Sequence, residues 1–338
     1  MSEFTRREVL AGLGAAAGGW VVLRGGDETV SGGVIEDGYP RAESLRPVMG
    51  GTHITAENVD GYGTLGIGAD RGGDPVVVTN RHVVDKGSDE KPSEIEGRRV
   101  FQPEEPIGVV SEASTIGGAG SSDWAVIRVS ESVARTTQAL GVGSVGSSVS
   151  PSSGDRVVID GARTGLLGGT VERESVDANF RGELYNNMIE YTVDENRDTA
   201  GNSGGLVGVI DAGTFRPVGL HTFSIDEYRY AIHWDDLPDD VDATAAGASA
   251  SAPDTEARVE GVIYARDGSG THVWVANVGG ALAERVVSLS DPSTGDVVDS
   301  TSVSLDPLAR QAVTLDGGDA SKLRLQVGAT DVVTEITT

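Results

Sequence analysis

The sequence predicts an all-β protein built in two blocks, and three observations carry that expectation. Short apolar runs rich in β-branched residues recur along the chain, each bounded by Gly, Ser or Asp turn signals. Long stretches with apolar residues at the helical period are absent. Near the C-terminus, His272-Val273-Trp274-Val275-Ala276 alternates strictly, which is the period of a half-buried strand. The length of 338 residues fits two folded domains at about 150 residues each.

At the N-terminus, Thr5-Arg6-Arg7-Glu8-Val9-Leu10 sets paired arginines ahead of a mild apolar stretch, Ala11 to Leu23, which Arg24 ends. That stretch is too short and too weakly apolar for a spanning helix, which needs about 20 apolar residues. Residues 1–25 therefore read as an export signal resembling that of the twin-arginine route. The expected location is extracellular or cell-surface, with membrane contact only through an uncleaved signal. Residues 26–46 are Gly-rich and polar and read as a linker or pro-like segment.

Residues 47–237 hold the first β block, with strand-like runs at Val76-Val77-Val78-Thr79, Trp124 to Val129, Val157-Val158-Ile159 and Leu206 to Ile210. Residues 238–257 begin with an acidic run (Asp239, Asp240, Asp242) and continue in Ala, Ser, Gly and Pro, the composition of a solvated linker. Residues 258–338 add about seven short strands, among them Val286-Val287-Ser288-Leu289, Val303-Ser304-Leu305 and Leu323 to Val327. Seven strands in that length suggest a small β-sandwich of immunoglobulin-like type. Its expected role is targeting, surface binding or protein interaction, with no partner specified.

Composition narrows the function classes. Lys+Arg number 26 against 52 Asp+Glu, a formal net charge of -26, and only Lys86, Lys91 and Lys322 are lysines. Such a chain repels phosphate backbones, so non-specific nucleic-acid binding is excluded. With no cysteine, disulfides and thiolate zinc sites are excluded too. The acidity with so little lysine resembles proteins of extreme halophiles, where a Debye length of about 3 Å at molar salt screens self-repulsion. An ordinary acidic secreted protein is the other reading. His53, His233 and His272 show no metal-ligand spacing, and Asp235-Asp236 and Asp239-Asp240 read as solvated surface. No metal, nucleotide or other cofactor is implied.

Three motifs carry chemistry: Val78-Thr79-Asn80-Arg81-His82-Val83-Val84, Ser121-Ser122-Asp123-Trp124-Ala125-Val126-Ile127, and Thr199-Ala200-Gly201-Asn202-Ser203-Gly204-Gly205. A serine hydroxyl is a weak nucleophile until a base takes its proton. Neutral imidazole does so near pH 7, and a carboxylate on its other nitrogen fixes the tautomer. Glycines around the serine let N–H groups converge on a developing oxyanion. Asp85 and Asp198 also lie near the His and Ser motifs. Asp85 reads as a surface turn acid and Asp198 as a shaper of the loop, because only Asp123 opens an apolar strand.

In this order and context the motifs resemble those of the chymotrypsin-like (trypsin-like) serine peptidase family: T-A/N-x-H, D-x-A-hydrophobic and G-D/N-S-G-G. The resemblance covers about residues 47–237, aided by Gly63-Thr64-Leu65-Gly66, Gly161 to Gly165 and Gly169-Thr170-Val171. It implies a double β-barrel and hydrolysis of protein or peptide substrates. It implies His82 as general base and acid, Asp123 as its orienting carboxylate, Ser203 as nucleophile, and the N–H groups of Gly201 and Ser203 as the oxyanion hole. Asn202 stands where digestive relatives carry an aspartate that pairs with a new N-terminus, so zymogen-style insertion of an amine is not expected. The rival is an inactive scaffold that acts as an extracellular binding protein.

Specificity is expected to fall on His221 and Arg197. Glutamyl endopeptidases of the family resemble this chain in carrying His at the position of His221, and Arg197 lies six residues before Ser203, where trypsin-like members place an acid. Together they suggest a preference for acidic residues before the scissile bond. The alternative is a packed strand histidine and a surface-loop arginine.

Overall fold

A computed structural model describes residues 41–335 apart from 88, 89, 103, 118–120, 246 and 329. The expected signal segment and residues 26–40 lie outside the described residues. The chain is all-β: two barrel-like units in tandem, followed by a sandwich.

The first unit is an eight-stranded sheet. Its order is Val241–Asp242, Ile67–Arg71, Asp74–Thr79, Ala125–Val129, Glu105–Ala113, Arg99–Gln102, Thr52–Ala56 and Gly63–Leu65. Leu65, Val77, Val100, Ile107 and Ile127 fill its own core. The second unit is a closed six-stranded barrel of Arg156–Gly161, Gly165–Phe180, Glu183–Val193, Tyr228–His233, Thr214–Ile225 and Leu206–Asp211. Alternation in Val157-Val158-Ile159 is resolved here. Val157 and Ile159 join Leu167, Ile189, Tyr191 and Val207 in one cluster, while Val158 faces another that it shares with Ile67 and Val78 of the first unit.

The C-terminal block has the expected seven strands. Val259–Asp267, Gly270–Asn277 and Arg310–Leu315 form one sheet; Val297–Leu305, Ala283–Ser290, Lys322–Val327 and Thr330–Glu335 form the other. Val273 and Val275 point into the core between them, against Leu289, Leu305, Leu323 and Leu325. The intervening residues differ from the half-buried expectation. Trp274 and Ala276 are buried in the cluster that also holds Val158 and Leu166, and Trp274 Nε1 donates to Gly141 O at 3.1 Å. Both faces of this strand are covered, one by the sandwich and one by the second barrel.

The segments read as linkers are anchored at several points. Val241–Asp242 pair antiparallel with Asp70 and Arg71, Ala243 and Pro253 are buried, and Ala248 N donates to Arg135 O at 2.9 Å. Upstream, Leu45 is buried and Arg41 is wholly enclosed. The Arg41 guanidinium pairs with Asp160 of the second barrel, with Glu260 of the sandwich at 2.6 Å, and with Gly51 O at 3.1 Å. One buried cation thus ties three parts of the chain together.

Candidate active site

Strand register builds the first half of the site. Val78 pairs with Val126 and Thr79 with Ala125. Asp123 lies two residues before Ala125, and His82 three after Thr79, on the short 3-10 turn Arg81–Val83. Both therefore leave the sheet at the same edge. His82 Nδ1 lies 2.6 Å from Asp123 Oδ2, and the His82 N–H donates to Oδ1 at 3.0 Å. Two contacts to one carboxylate fix both the ring and its backbone. Asp123 is fully buried, and Asn80 Nδ2 donates to its carbonyl oxygen at 2.6 Å. Burial works against a charged His82, but attraction and a hydrogen bond from Asp123 outweigh it and raise the pKa, with Asp85 adding and Arg181 opposing.

Asp85 corrects the surface-acid expectation. It is 1% exposed and lies 3.3 Å from Arg81 Nε. Burial pushes its pKa up to about 6, with His82 pulling the other way. Asp198 behaves as expected: its side chain accepts from Ala200 N at 3.0 Å and pairs with Arg163 at 3.2 Å.

The second half is the loop before Leu206–Asp211. Gly204 has φ +92°, and a Cβ there would meet Thr64 O and Thr79 Oγ1, both at 2.3 Å. Only glycine allows this turn to press against the first unit. Thr64 N donates to Ser203 O at 2.7 Å, and Thr64 Oγ1 donates to Gly201 O at 3.0 Å. A Cβ on Gly63 would meet Val83 at 2.4 Å and Ser203 O at 2.8 Å, so the residue after His82 and the serine backbone flank the same glycine. Asn202 is buried, with Oδ1 accepting from Arg163 N and Thr164 N and Nδ2 donating to Thr164 Oγ1 at 2.7 Å. Its neutral amide is satisfied by this loop, without an amine. The N–H groups of Asn202, Gly204 and Gly205 are engaged by Thr199 O, His221 O and Asn202 O.

Ser203 Oγ donates to Thr222 O at 3.0 Å. Thr222 sits at a register shift between His221 and Phe223, a bulge that aims its carbonyl at the loop. Its hydroxyl also lies 3.4 Å from Asn80 Nδ2. Thr222 thus touches both the serine and Asn80, the residue that holds the Asp123 carbonyl, and no sequence motif marked it.

The two expected specificity residues separate. His221 is buried, with Nδ1 2.7 Å from Tyr191 Oη. Burial, with Arg229 and His82 nearby, lowers its pKa to about 3, so the ring is neutral; a hydrogen bond with the Thr199 backbone opposes this. The Arg197 guanidinium turns to Glu195 at 3.0 Å, in a half-exposed loop. The structure does not place these two side chains against one another. The cation beside His221 is Arg229, which carries no motif.

No protein-family model matches the chain, and no curated protein does. Solved structures do. The chain is similar to Thermobifida fusca Protease A at 18% identity and TM-score 0.44, over 56% of this chain and 93% of that one. It is similar to a Nocardiopsis protease at 19% and 0.44, over 55% and 92%. A third is described as a glutamic acid specific serine protease that utilizes a novel histidine triad in substrate binding, at 22% and 0.42, over 55% and 92%.

Proposed function

We propose that the chain is an exported serine endopeptidase that hydrolyses protein or peptide substrates through an acyl-enzyme. The observation supporting this most is the two-point contact of His82 with Asp123, with the Ser203 loop fastened to the same sheet edge. Asp123 holds the proton on His82 Nδ1 and leaves Nε2 as the base. The Ser203 hydroxyl turns from Thr222 O to Nε2 and loses its proton there as Oγ attacks the substrate carbonyl carbon. The oxyanion is taken by the N–H groups of Gly201 and Ser203. His82 then protonates the leaving amine, which breaks the C–N bond, and activates the water that releases the acid. The acidic composition supports work in concentrated salt, and the N-terminal pattern supports twin-arginine export.

A preference for Glu or Asp before the scissile bond belongs to this reading. The alternative, a binding scaffold without activity, is favoured by one contact, the Ser203 hydroxyl held by Thr222 O. A serine-reactive fluorophosphonate probe separates them. Labelling of wild type in molar salt, with loss of label and of peptide hydrolysis in Ser203→Ala, supports the peptidase. Wild type that neither labels nor hydrolyses establishes the scaffold.

A further inference from the structure

Arg229 is an enclosed cation with no carboxylate at ion-pair distance among the described residues; Asp198 and Glu227 attract it from farther off. It is 3% exposed, on strand Tyr228–His233. Nη1 donates to Asp226 O at 3.0 Å and Tyr228 O at 3.1 Å; Nη2 donates to Asn196 Oδ1 and Arg197 O, both at 2.8 Å. Every acceptor is neutral, Nε has no acceptor, and among the described residues no carboxylate is ion-paired with this side chain. Enclosing an ion usually requires a partner of opposite charge. Arg41, Arg81 and Arg156 each have one.

Its place in the barrel is beside the candidate site. Arg229 pairs across strands with Tyr191, whose hydroxyl bonds His221, and with Ser224. Ser224 Oγ lies 2.9 Å from Thr199 Oγ1, which closes the strand onto the loop leading to Ser203. Ser224 is two residues along the strand from Thr222, about 7 Å, and Thr222 O holds the Ser203 hydroxyl. Thr199 and Ser224 therefore lie between the strand that carries Arg229 and the loop that carries Ser203.

We propose that Arg229 is the specificity-determining cation of this site, selecting a carboxylate side chain before the scissile bond by attraction across the Thr199–Ser224 contact. This rests on the peptidase reading above. Arg197 contributes its carbonyl to hold Arg229 and not its charge. The same arrangement answers a difficulty of the whole molecule: at a net charge of -26, the surface repels an acidic substrate. A desolvated cation offsets that repulsion locally, against the pull of Asp198 and Glu227, and it disfavours Lys and Arg side chains at the same point.

The test is a pair of peptides differing only in Glu against Gln before the scissile bond, compared by kcat/KM at fixed salt and pH. The key variant is Asn196→Asp. It keeps the side-chain shape and tolerates the left-handed backbone of Asn196 (φ +47°). It puts a carboxylate on Arg229 and neutralises the cation in place. Wild type is expected to favour Glu by at least about tenfold, and Asn196→Asp and Arg229→Gln to remove most of that ratio. Arg229→Lys retains it, and Arg197→Gln leaves it within about threefold. A merely structural Arg229 changes both substrates together and leaves the ratio alone, so an unchanged ratio in folded Asn196→Asp overturns the proposal. Wild type that cleaves both peptides equally also overturns it while leaving the peptidase intact. Wild type that cleaves neither and takes no fluorophosphonate overturns the peptidase reading and this proposal with it.

Discussion

Replacing Arg41 by Met removes one cation from two enclosed carboxylates. The side chains of Asp160 and Glu260 are 0% and 4% exposed, so water cannot take over. Breaking a buried ion pair from one side costs about 3–5 kcal/mol. Each carboxylate keeps some support: Gly141 N donates to Asp160 at 3.1 Å, Leu166 N to Glu260 at 2.9 Å, and Arg258 lies 3.4 Å from Glu260. The lower end, about 3 kcal/mol, is therefore expected, which for 338 residues unfolding together is about 4 °C in Tm. Burial pushes the Glu260 carboxyl up, but Arg41 outweighs it and holds the group below its ordinary 4.5. A depressed acid stabilises above its unfolded pKa and loses that contribution as pH falls through the folded value. In Arg41→Met burial acts with less opposition, Glu260 takes up a proton more readily, and the deficit against wild type shrinks as pH falls toward 4. Calorimetry at pH 8 and pH 5 reads both effects, in a Ser203→Ala background that prevents self-cleavage. A Tm loss under about 2 °C at pH 8, or a deficit that grows on acidification, refutes the clamp.

Three further outcomes are expected. The raised pKa of His82 puts the rise of kcat/KM with pH above 6.5, and Asp123→Asn both lowers the rate by orders of magnitude and moves the profile to lower pH, which a stopped-rate pH series reads. Gly204→Ala drives a Cβ into Thr64 O and Thr79 Oγ1 at a positive φ, so a loss of at least about 2 kcal/mol in urea unfolding is expected together with loss of activity. Deleting residues 258–338 strips Trp274, Val262 and Glu260 from the second barrel, so the truncated chain is expected to be insoluble; a soluble, active fragment would show that the shared core is dispensable.

Legibility followed the range of the interactions. Seven sandwich strands and the barrel strands were readable because alternation and turn residues are local. The histidine–aspartate pair was readable as motifs, and the pairing of Thr79 with Ala125 explains why two short motifs 41 residues apart meet. Arg41 read as linker because its partners lie 119 and 219 residues away. Asp85 read as a surface acid because nothing nearby in sequence announces its burial under Arg81. Arg197 was selected by its distance from Ser203, yet a side chain two residues away, Glu195, captured it. Arg229 became visible only through cross-strand neighbours, and Thr222 only through a bulge. The alternation of Trp274 was read correctly as a strand, but a period of two cannot tell one covered face from two.

The sandwich also braces the segment that precedes the Ser203 loop. Thr334 Oγ1 donates to Asp194 at 3.0 Å, and Val333 N donates to Glu195 at 2.9 Å, on the segment that leads into the Ser203 loop. Those contacts come from strand Thr330–Glu335, which is synthesised well after Ser203. A nascent chain stalled before residue 330 holds every expected catalytic side chain but lacks the brace on that segment. On the peptidase reading, fluorophosphonate labelling is therefore expected only in chains that extend past strand Thr330–Glu335, and stalled chains of increasing length would show the step.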